Sequence, residues 1–201
     1  VGLDDQTLDL MRRSGCLGAL VGFESVCPAS LIETGKGHNR IATYLDAVRG
    51  FKEHRVSVLG CFIFGFDGDT REVFDETVDF VCKSRMELAR YAVLTPFPGT
   101  ALYRELDAQG RIIEKNPDLY DFQHVVLRPK NMTPRELQQG LVHAWKATYR
   151  LRNVVRRVLH ASGNRLLVAA ANAGFLRYHK ALLRLYAEHG TPTSEAWNSP
   201  R

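Results

Sequence analysis

Three short apolar runs alternate with helical patterns along the chain, and this alternation restricts the possible folds more than any other sequence feature. Each run has the length of a strand, and between them apolar residues recur at helical spacing. The predicted strands are 17–23, 56–64 and 88–94, and the predicted helices are 4–14, 40–54, 70–84 and 100–109. Strands that alternate with helices predict right-handed βαβ crossovers and a parallel sheet. The fold class is therefore α/β.

All three predicted strands end in polar or glycine-rich residues. The first ends in Glu24-Ser25, the second in FGFDGDT (64–70) and the third in LTPFPGT (94–100). Each ending alone has an ordinary explanation, as a polar strand exit or a tight turn. Carboxyl ends of parallel strands lie on one side of a sheet, where ligands bind, so the three together predict a ligand site. Gly65 and Gly68 would let the backbone approach a flat ligand.

Several helix boundaries carry local signals. Thr70 and Thr100 are predicted N-caps, and Thr133 with Glu136 forms a capping-box pattern. The helix that Thr133 starts is expected to reach about residue 150 or beyond, and a last long helix is expected over 165–188. The final dozen residues are predicted to be disordered.

Three parallel strands would leave two sheet edges exposed, which proteins normally avoid. The chain also opens directly into a helical pattern and has no initiator methionine. Both features favour a fragment, in which half of a barrel or of a doubly wound sheet is absent.

The positive charge is concentrated in the C-terminal third. Residues 1–123 carry a net charge of −5 and residues 124–201 carry +10. The last helix has an apolar stripe at Leu167, Ala171, Phe175, Tyr178, Leu182 and Leu185. The stripe predicts a helix packed on the sheet, with an interfacial helix on an anionic membrane as the alternative. Nucleic acid is a weaker alternative, since no nucleic-acid-binding motif occurs.

The cysteines and histidines do not form a metal-binding pattern. Cys16, Cys27, Cys61 and Cys82 contain no CxxC spacing, which predicts free thiols in a reducing cytosol. His124 and His143 are isolated and are interpreted as structural or surface residues. Neither a signal peptide nor a run of 18 apolar residues is visible, which predicts a cytoplasmic protein, with the membrane surface as its one alternative location.

Three segments in order resemble the radical S-adenosylmethionine (SAM) superfamily, and more narrowly its cobalamin-binding-domain type. GCLGALVGFES is similar to the fourth barrel strand of that family, and GCFIFGFDGDTREVFDETVDFV to its fifth strand and the following helix. LTPFPGTALYRELDAQGRI is similar to the sixth strand and its Pro-Gly-Thr turn, and MTPRELQQGLVHAWKATY to the start of a helical extension. The resemblance covers about residues 1–150. The segments are specific for the family when taken together, whereas no single segment is specific by itself.

The resemblance implies the C-terminal half of a partial (β/α)6 TIM-like barrel at 1–115, a helical extension at 116–190 and a tail at 191–201. SAM would lie at the strand ends. The cofactor-binding positions carried over are Glu24 and Ser25 for ribose or methionine, Ile63 and Gly65 beside adenine, and Leu94 and Thr95 for backbone contacts to adenine. Cys61 and Gly68 depart from the fifth-strand pattern, since a glycine and a glutamate would stand there.

The Cx3Cx2C motif that binds the 4Fe-4S cluster in this family does not occur in the chain. The resemblance therefore implies cluster ligands, and a cobalamin domain if one is used, outside these 201 residues. The implied reactions are methylation of an unactivated carbon or another radical rearrangement, on a small-molecule or lipid substrate. We expect that the chain alone neither forms the cluster nor cleaves SAM, and no catalytic residue is predicted in it.

Two other interpretations stay open. The chain could be a non-catalytic half that pairs through its sheet edge with a separate, cluster-bearing polypeptide. It could also be an unrelated α/β-barrel segment whose strand ends bind another nucleotide. The radical SAM interpretation predicts Cx3Cx2C upstream in the same reading frame. The paired-half interpretation predicts it on another chain, and the interpretation as an unrelated barrel segment predicts none.

Overall fold

A computed structural model describes residues 3–33 and 41–189 and contains a three-stranded parallel sheet. The strands are β1 (Gly18–Glu24), β2 (Ser57–Phe64) and β3 (Leu88–Val93), in the spatial order β1-β2-β3. Val21, Gly60 and Ala89 lie side by side across them. The predicted α/β class and the parallel strands are confirmed, and the described sheet is open and does not close into a barrel.

Eight helices occur in the described residues. They are α1 (Asp5–Arg13), α2 (Pro28–Glu33), α3 (Ile41–Glu53), α4 (Val73–Ser84), α5 (Ala101–Ala108), α6 (Pro134–Thr148), α7 (Leu151–Leu159) and α8 (Arg165–His189). A short 3-10 helix covers Pro117–Leu119. None of these helices is long and apolar enough to cross a bilayer. The predicted disorder of 191–201 concerns residues outside the described ranges.

The cap predictions are confirmed at two helices and wrong at one. Thr100 accepts a hydrogen bond from the amide of Tyr103, and Thr133 forms the full capping box with Glu136. Thr70 does not cap α4. That helix begins at Val73, and the Thr70 hydroxyl instead donates to the Glu72 carboxylate at 2.5 Å.

The long helix predicted from Thr133 is divided in two. α6 ends at Thr148, and α7 begins at Leu151. Tyr149 leaves the helical path because its hydroxyl is held against β3, where it donates to the Ala89 carbonyl at 2.7 Å and accepts from the Ala89 amide at 3.2 Å.

The helices cover one face of the sheet. Alternate residues of β2, from Val58 to Phe64, are buried against α3, α4 and α6. Aromatic rings continue this core from Phe62 through Tyr91 to Trp145, with centroids 6.0 and 5.4 Å apart. On the opposite face Leu20 is 67% exposed and Arg90 is exposed. The helices of residues 3–33 and 41–189 thus leave one side of the sheet open.

The sequence predicted two exposed sheet edges, and the structure corrects this for β3. Its outer edge is capped by the Tyr149 hydroxyl at Ala89, by the Gln123 amide on the Tyr91 carbonyl at 3.1 Å, and by the Phe122 carbonyl on the Val93 amide at 2.8 Å. β1 forms the other edge, and within the described residues its only neighbouring strand is β2.

The packed face of α8 contains only part of the predicted stripe. Leu182 is buried as predicted, and Phe175 stacks on Tyr149 with ring centroids 5.7 Å apart. Leu167 and Tyr178, however, are 45% and 39% exposed, and Val168, outside the stripe, is buried. Asn172 also lies on the buried face, where its amide donates to the carbonyl oxygens of Glu87 at 3.1 Å and Val168 at 2.8 Å. The helix does pack on the domain, but through a face that includes a buried asparagine and a buried histidine at 179.

Candidate functional site

β1 ends in a tight backbone reversal at Glu24. The Ser25 amide donates to the Phe23 carbonyl at 2.9 Å, which closes a three-residue γ-turn around Glu24, and Glu24 has a φ of 65°. The pairing of β1 with β2 also shifts between Gly22 and Glu24. A γ-turn with positive φ on a residue other than glycine is rare and strained. The turn carries a half-buried carboxylate at the carboxyl end of the strand.

Ser25 follows directly and is 2% exposed. Its hydroxyl oxygen accepts from the Cys27 amide at 2.9 Å, which fixes the loop that leads into α2. Among the described residues no acceptor takes its hydroxyl hydrogen, so the group can still donate. Glu24 and Ser25 together offer an acceptor and a donor at one strand end.

The loop after β2 is organised by Asp69, which is fully buried. Its carboxylate accepts from the amides of Gly65 at 2.8 Å and Phe66 at 3.1 Å, and from the Ser30 hydroxyl at 2.5 Å. Burial raises the pKa of Asp69, and these three donors act in the opposite direction. The amide of Gly65 is therefore already bound, and only its carbonyl is available to a ligand.

The two glycines of this loop make close contacts within the protein. A Cβ on Gly65, whose φ is 103°, would lie 2.9 Å from Leu137 of α6. A Cβ on Gly68 would lie 2.8 Å from Ala29 of α2. Packing against α6 and α2 thus explains both glycines, and their expected closeness to an adenine stays a prediction.

Asp67 fixes the outside of the same loop. Its carboxylate pairs with Arg111 at 2.6 Å and Lys130 at 2.5 Å, and Arg111 is 5% exposed. Burial raises the pKa of Asp67, but the hydrogen bonds from Arg111 and Lys130 outweigh it and lower the pKa overall. The Asn131 amide donates to the Asp67 carbonyl at 2.7 Å. The segment before α6 therefore holds the loop in place.

At the end of β3, Leu94 continues the sheet by donating its amide to the Phe64 carbonyl at 2.8 Å. Its predicted ligand contact is therefore limited to its carbonyl and side chain. Thr95 is 7% exposed, and its hydroxyl donates back to the Val93 carbonyl at 3.0 Å. The hydroxyl of Thr95 stabilises the strand exit and leaves backbone groups for a ligand.

The open face of the sheet leads to these strand ends. Ile63 is half-buried there, two residues beyond Cys61, and Cys61 pairs across the sheet with Gly22 and Arg90. Burial raises the pKa of the Cys61 thiol, Arg90 lowers it, and Glu24 raises it, so both charges lie close to the thiol. Ile63 and Cys61 thus form an apolar surface beside the strand ends, with the Arg90 cation and the Glu24 carboxylate near it.

The six predicted positions thus lie at one edge, on β1, β2 and β3 or directly after them. Sequence reasoning missed the organising roles of Asp67 and Asp69, although acidic residues in a glycine-rich turn are a signal for such a role. At this edge Glu24 and the carbonyls of Gly65 and Leu94 are hydrogen-bond acceptors, and the Ser25 hydroxyl is a donor. No group of three His, Cys, Asp or Glu side chains in residues 3–33 and 41–189 could hold a metal ion.

A parallel sheet with polar strand ends at one edge defines an α/β protein of the kind that binds ligands there. No family model matches the chain. It is similar to bacteriochlorophyllide d C-12(1)-methyltransferase of Chlorobaculum tepidum, with 33% identity over 153 residues, 76% of this chain and 33% of that protein.

Two further relatives have similar names. The chain is 26% identical over 184 residues to bacteriochlorophyllide d C-8(2)-methyltransferase of Chlorobaculum tepidum, covering 91% of this chain and 41% of that protein. It is 26% identical over 163 residues to hopanoid C-2 methylase of Rhodopseudomonas palustris, covering 80% of this chain and 30% of that protein. The chain therefore spans 30 to 41% of the length of these curated relatives. Methylation is one of the reactions that the resemblance implies.

Proposed function

We propose that the chain is the C-terminal portion of a cobalamin-dependent radical SAM enzyme that transfers a methyl group. In this proposal β1, β2 and β3 are half of a partial (β/α)6 barrel at 1–115, and residues 116–190 form its helical extension. Similarity to two bacteriochlorophyllide methyltransferases and a hopanoid methylase supports the reaction class. The substrate would be a small molecule or a lipid.

One observation carries the binding role: a strained γ-turn presents the Glu24 carboxylate at the carboxyl end of β1, next to an uncovered sheet face. Glu24 would accept hydrogen bonds from ribose hydroxyls or the methionine amine of SAM, and the Ser25 hydroxyl would donate one. Ile63 would pack against adenine, and the carbonyls of Gly65 and Leu94 would accept from its amino group. The amide of Thr95 would supply a donor.

The remaining cofactor groups would be held outside the described residues, which lack a cluster of metal ligands. A 4Fe-4S cluster supplies the electron that cleaves SAM when both are bound. The part of this chain is to hold SAM in one orientation and to keep water away from it by packing at the strand ends.

The test uses this chain together with the polypeptide segment that carries the Cx3Cx2C motif, reconstituted without oxygen. We expect cluster-dependent formation of 5′-deoxyadenosine and SAM binding by calorimetry that Glu24→Ala weakens at least tenfold. Glu53→Ala, an exposed change at the far end of α3, should leave the affinity unchanged. Equal affinities for the Glu24 and Glu53 variants would exclude the proposed role of Glu24.

A second candidate function is a non-catalytic half that pairs with a separate cluster-bearing chain. The sheet edges favour this paired half over a self-contained unit. The edge of β3 is capped, whereas in the described residues β1 has only β2 beside it, so a partner chain could pair with β1. The reading frame upstream of Val1 distinguishes the two candidates. A Cx3Cx2C motif in that frame supports one continuous enzyme, and its presence only in another gene supports the paired halves.

A further inference from the structure

A long stretch of the C-terminal region contains no acidic residue. From 137 to 187 the sequence has nine lysines and arginines and neither aspartate nor glutamate. α7 lies in the middle of this stretch, between the end of α6 and the start of α8. This stretch of the chain itself therefore carries only positive charges.

Three of the five apolar residues of α7 are exposed. Leu151, Val155 and Leu159 recur every four residues and are 73%, 48% and 59% exposed. The packed side of the helix is formed by Val154 and Arg157, both buried. At 100° per residue, the three exposed side chains form one stripe directly beside that packed side. We call Leu151, Val155 and Leu159 the α7 stripe.

Arginines border the α7 stripe on its other side. Arg152 and Arg156 follow the first two stripe residues by one position and are exposed. Arg156 and Arg85, the residue after α4, line one cleft of the surface. Arg157 is different, because it points inward, donates to the Thr148 carbonyl at 2.6 Å and lies over the Tyr149 ring at 4.7 Å.

Exposed leucines continue beyond the end of α7. Leu166 and Leu167, on the first turn of α8, are 83% and 45% exposed, and Arg165 beside them is exposed. The same combination of apolar and basic side chains therefore occurs on both sides of the turn at 160–164. Folded proteins seldom expose a row of leucines unless it contacts something.

We propose that the α7 stripe is a peripheral docking surface for an anionic lipid bilayer, with Arg85, Arg152 and Arg156 contacting the headgroups. An interfacial helix needs an apolar strip beside a basic one, and long arginine side chains can reach phosphates while leucines enter the boundary of the acyl chains. The sequence pattern predicted a packed α8 and gave this role to α8 only as the alternative. The structure instead packs the centre of α8 on the domain and exposes α7.

The basic border has no ion-pair partner among the described residues and is complementary to the negative charge of an anionic bilayer. Among the described residues no carboxylate lies within ion-pair distance of Arg152 or Arg156, and the nearest acidic position in sequence before them is Glu136. Lysine and arginine side chains near an anionic leaflet are attracted to its surface. The turn that follows α7 is bonded to Glu87 at the amino end of the sheet, so docking there leaves the candidate site at the carboxyl ends accessible.

The experiment measures co-sedimentation of the full 201-residue chain with vesicles of phosphatidylglycerol and phosphatidylcholine, or of phosphatidylcholine alone. We expect binding to the anionic vesicles only, and weakening as salt rises from about 0.05 to about 0.5 M. L151Q/V155Q/L159Q should reduce the partition coefficient on the order of a hundredfold, since three apolar side chains are lost. R152Q/R156Q should reduce it at least tenfold.

Leu10→Gln is the matched control, because Leu10 is 55% exposed on α1 and should not contact the bilayer. Equal urea midpoints for all variants would establish that each is folded. Equal binding by the stripe variant and the Leu10 control, or no binding to anionic vesicles at low salt, would overturn the proposal. So would light scattering that finds a dimer of the chain which the stripe variant converts to monomer.

Discussion

Asp69 is the residue on which the loop after β2 depends most. Its buried carboxylate is the acceptor for the amides of Gly65 and Phe66 and for the Ser30 hydroxyl. These donors belong to the end of β2 and to α2, so one side chain joins two of the segments that border the candidate site. The sequence predicted only a helix cap at the next residue, Thr70.

We predict that Asp69→Ala lowers the free energy of unfolding by about 3 kcal/mol, because three buried donors lose their acceptor. Asp69→Asn should lower it by less, since its amide oxygen can still accept from both backbone amides. Thr70→Ala is the control and should change it by under about 0.5 kcal/mol, because Thr70 is exposed and its hydroxyl donates to the exposed Glu72 carboxylate. Urea unfolding followed by circular dichroism measures all three, and an Ala variant as stable as the control would refute this role.

His179 gives a pH-dependent prediction. The residue is 9% exposed, and neither ring nitrogen has a hydrogen-bond partner among the described atoms. Burial lowers the pKa of His179, and the charges of Lys146 and Lys180 lower it further. Below about pH 6.5 the unfolded chain therefore takes up a proton that the folded chain does not, and stability falls as the pH falls.

We expect His179→Leu to be more stable than the parent by about 1 kcal/mol at pH 8, because an unpaired polar group is removed. The difference in stability should grow as the pH is lowered from about 8 to about 5.5. Only the parent loses stability there, because its unfolded state takes up a proton at His179 that its folded state does not. Urea midpoints at several pH values measure it. A difference that shrinks towards pH 5.5 would mean that His179 is protonated in the folded protein.

At the scale of elements, the contact between α4 and α6 depends on a glycine. Gly140 lies on the buried side of α6, and a Cβ there would overlap the ring of Phe74 in α4. Gly174 in α8 is also helical, but a Cβ there would meet nothing within 4 Å. The two glycines have the same helix propensity and differ only in the space around them.

We predict opposite signs for the two alanine variants. Gly174→Ala should raise the free energy of unfolding by about 0.5 to 1 kcal/mol through helix propensity. Gly140→Ala should lower it by about 1 to 3 kcal/mol, since Phe74 or the helix must move. Thermal and urea unfolding of both variants measures this, and stabilisation by Gly140→Ala would mean that α4 and α6 are not packed as described.

Elements that depend on neighbouring residues were predictable, and those that depend on distant ones were not. The capping box at Thr133 involves residues three apart and is confirmed, as are the three strands. The break after Thr148 was missed because its cause is a hydrogen bond from Tyr149 to Ala89, sixty positions away. The stripe of α8 was only partly right, because Asn172, a polar side chain outside it, is buried where its amide donates to the carbonyl of Glu87, just before β3.

In the candidate site, too, features that depend on neighbouring residues were predictable and those that depend on distant residues were not. Three polar strand ends at one edge could be predicted from the order of strands and helices. The γ-turn at Glu24 could not, because its strain depends on the shift in pairing between β1 and β2. Nor could the partners of Asp67, since Arg111 and Lys130 lie 44 and 63 positions further along the chain.

Across the whole molecule, Glu87 joins parts that are distant in sequence. Its side chain is 1% exposed, and it pairs with Lys52 of α3 at 2.9 Å. It also accepts from the Val58 amide at 2.9 Å and from the Ser162 hydroxyl at 3.2 Å. One carboxylate therefore connects the end of α3, the start of β2 and the turn between α7 and α8, all at the amino end of the sheet, opposite the candidate site.

We predict that Glu87→Ala lowers the free energy of unfolding by about 3 to 5 kcal/mol, because Lys52 is left as a largely buried charge without its partner. Asp79→Ala is the matched control. It breaks the Asp79–Lys83 pair, whose side chains are 69% and 73% exposed, and should cost under about 1 kcal/mol. Glu87→Gln with Lys52→Met should cost less than the sum of the two single changes, since neither charge is then left alone. Urea unfolding measures all these variants, and equal losses for Glu87→Ala and Asp79→Ala would show that the amino end of the sheet holds together without this carboxylate.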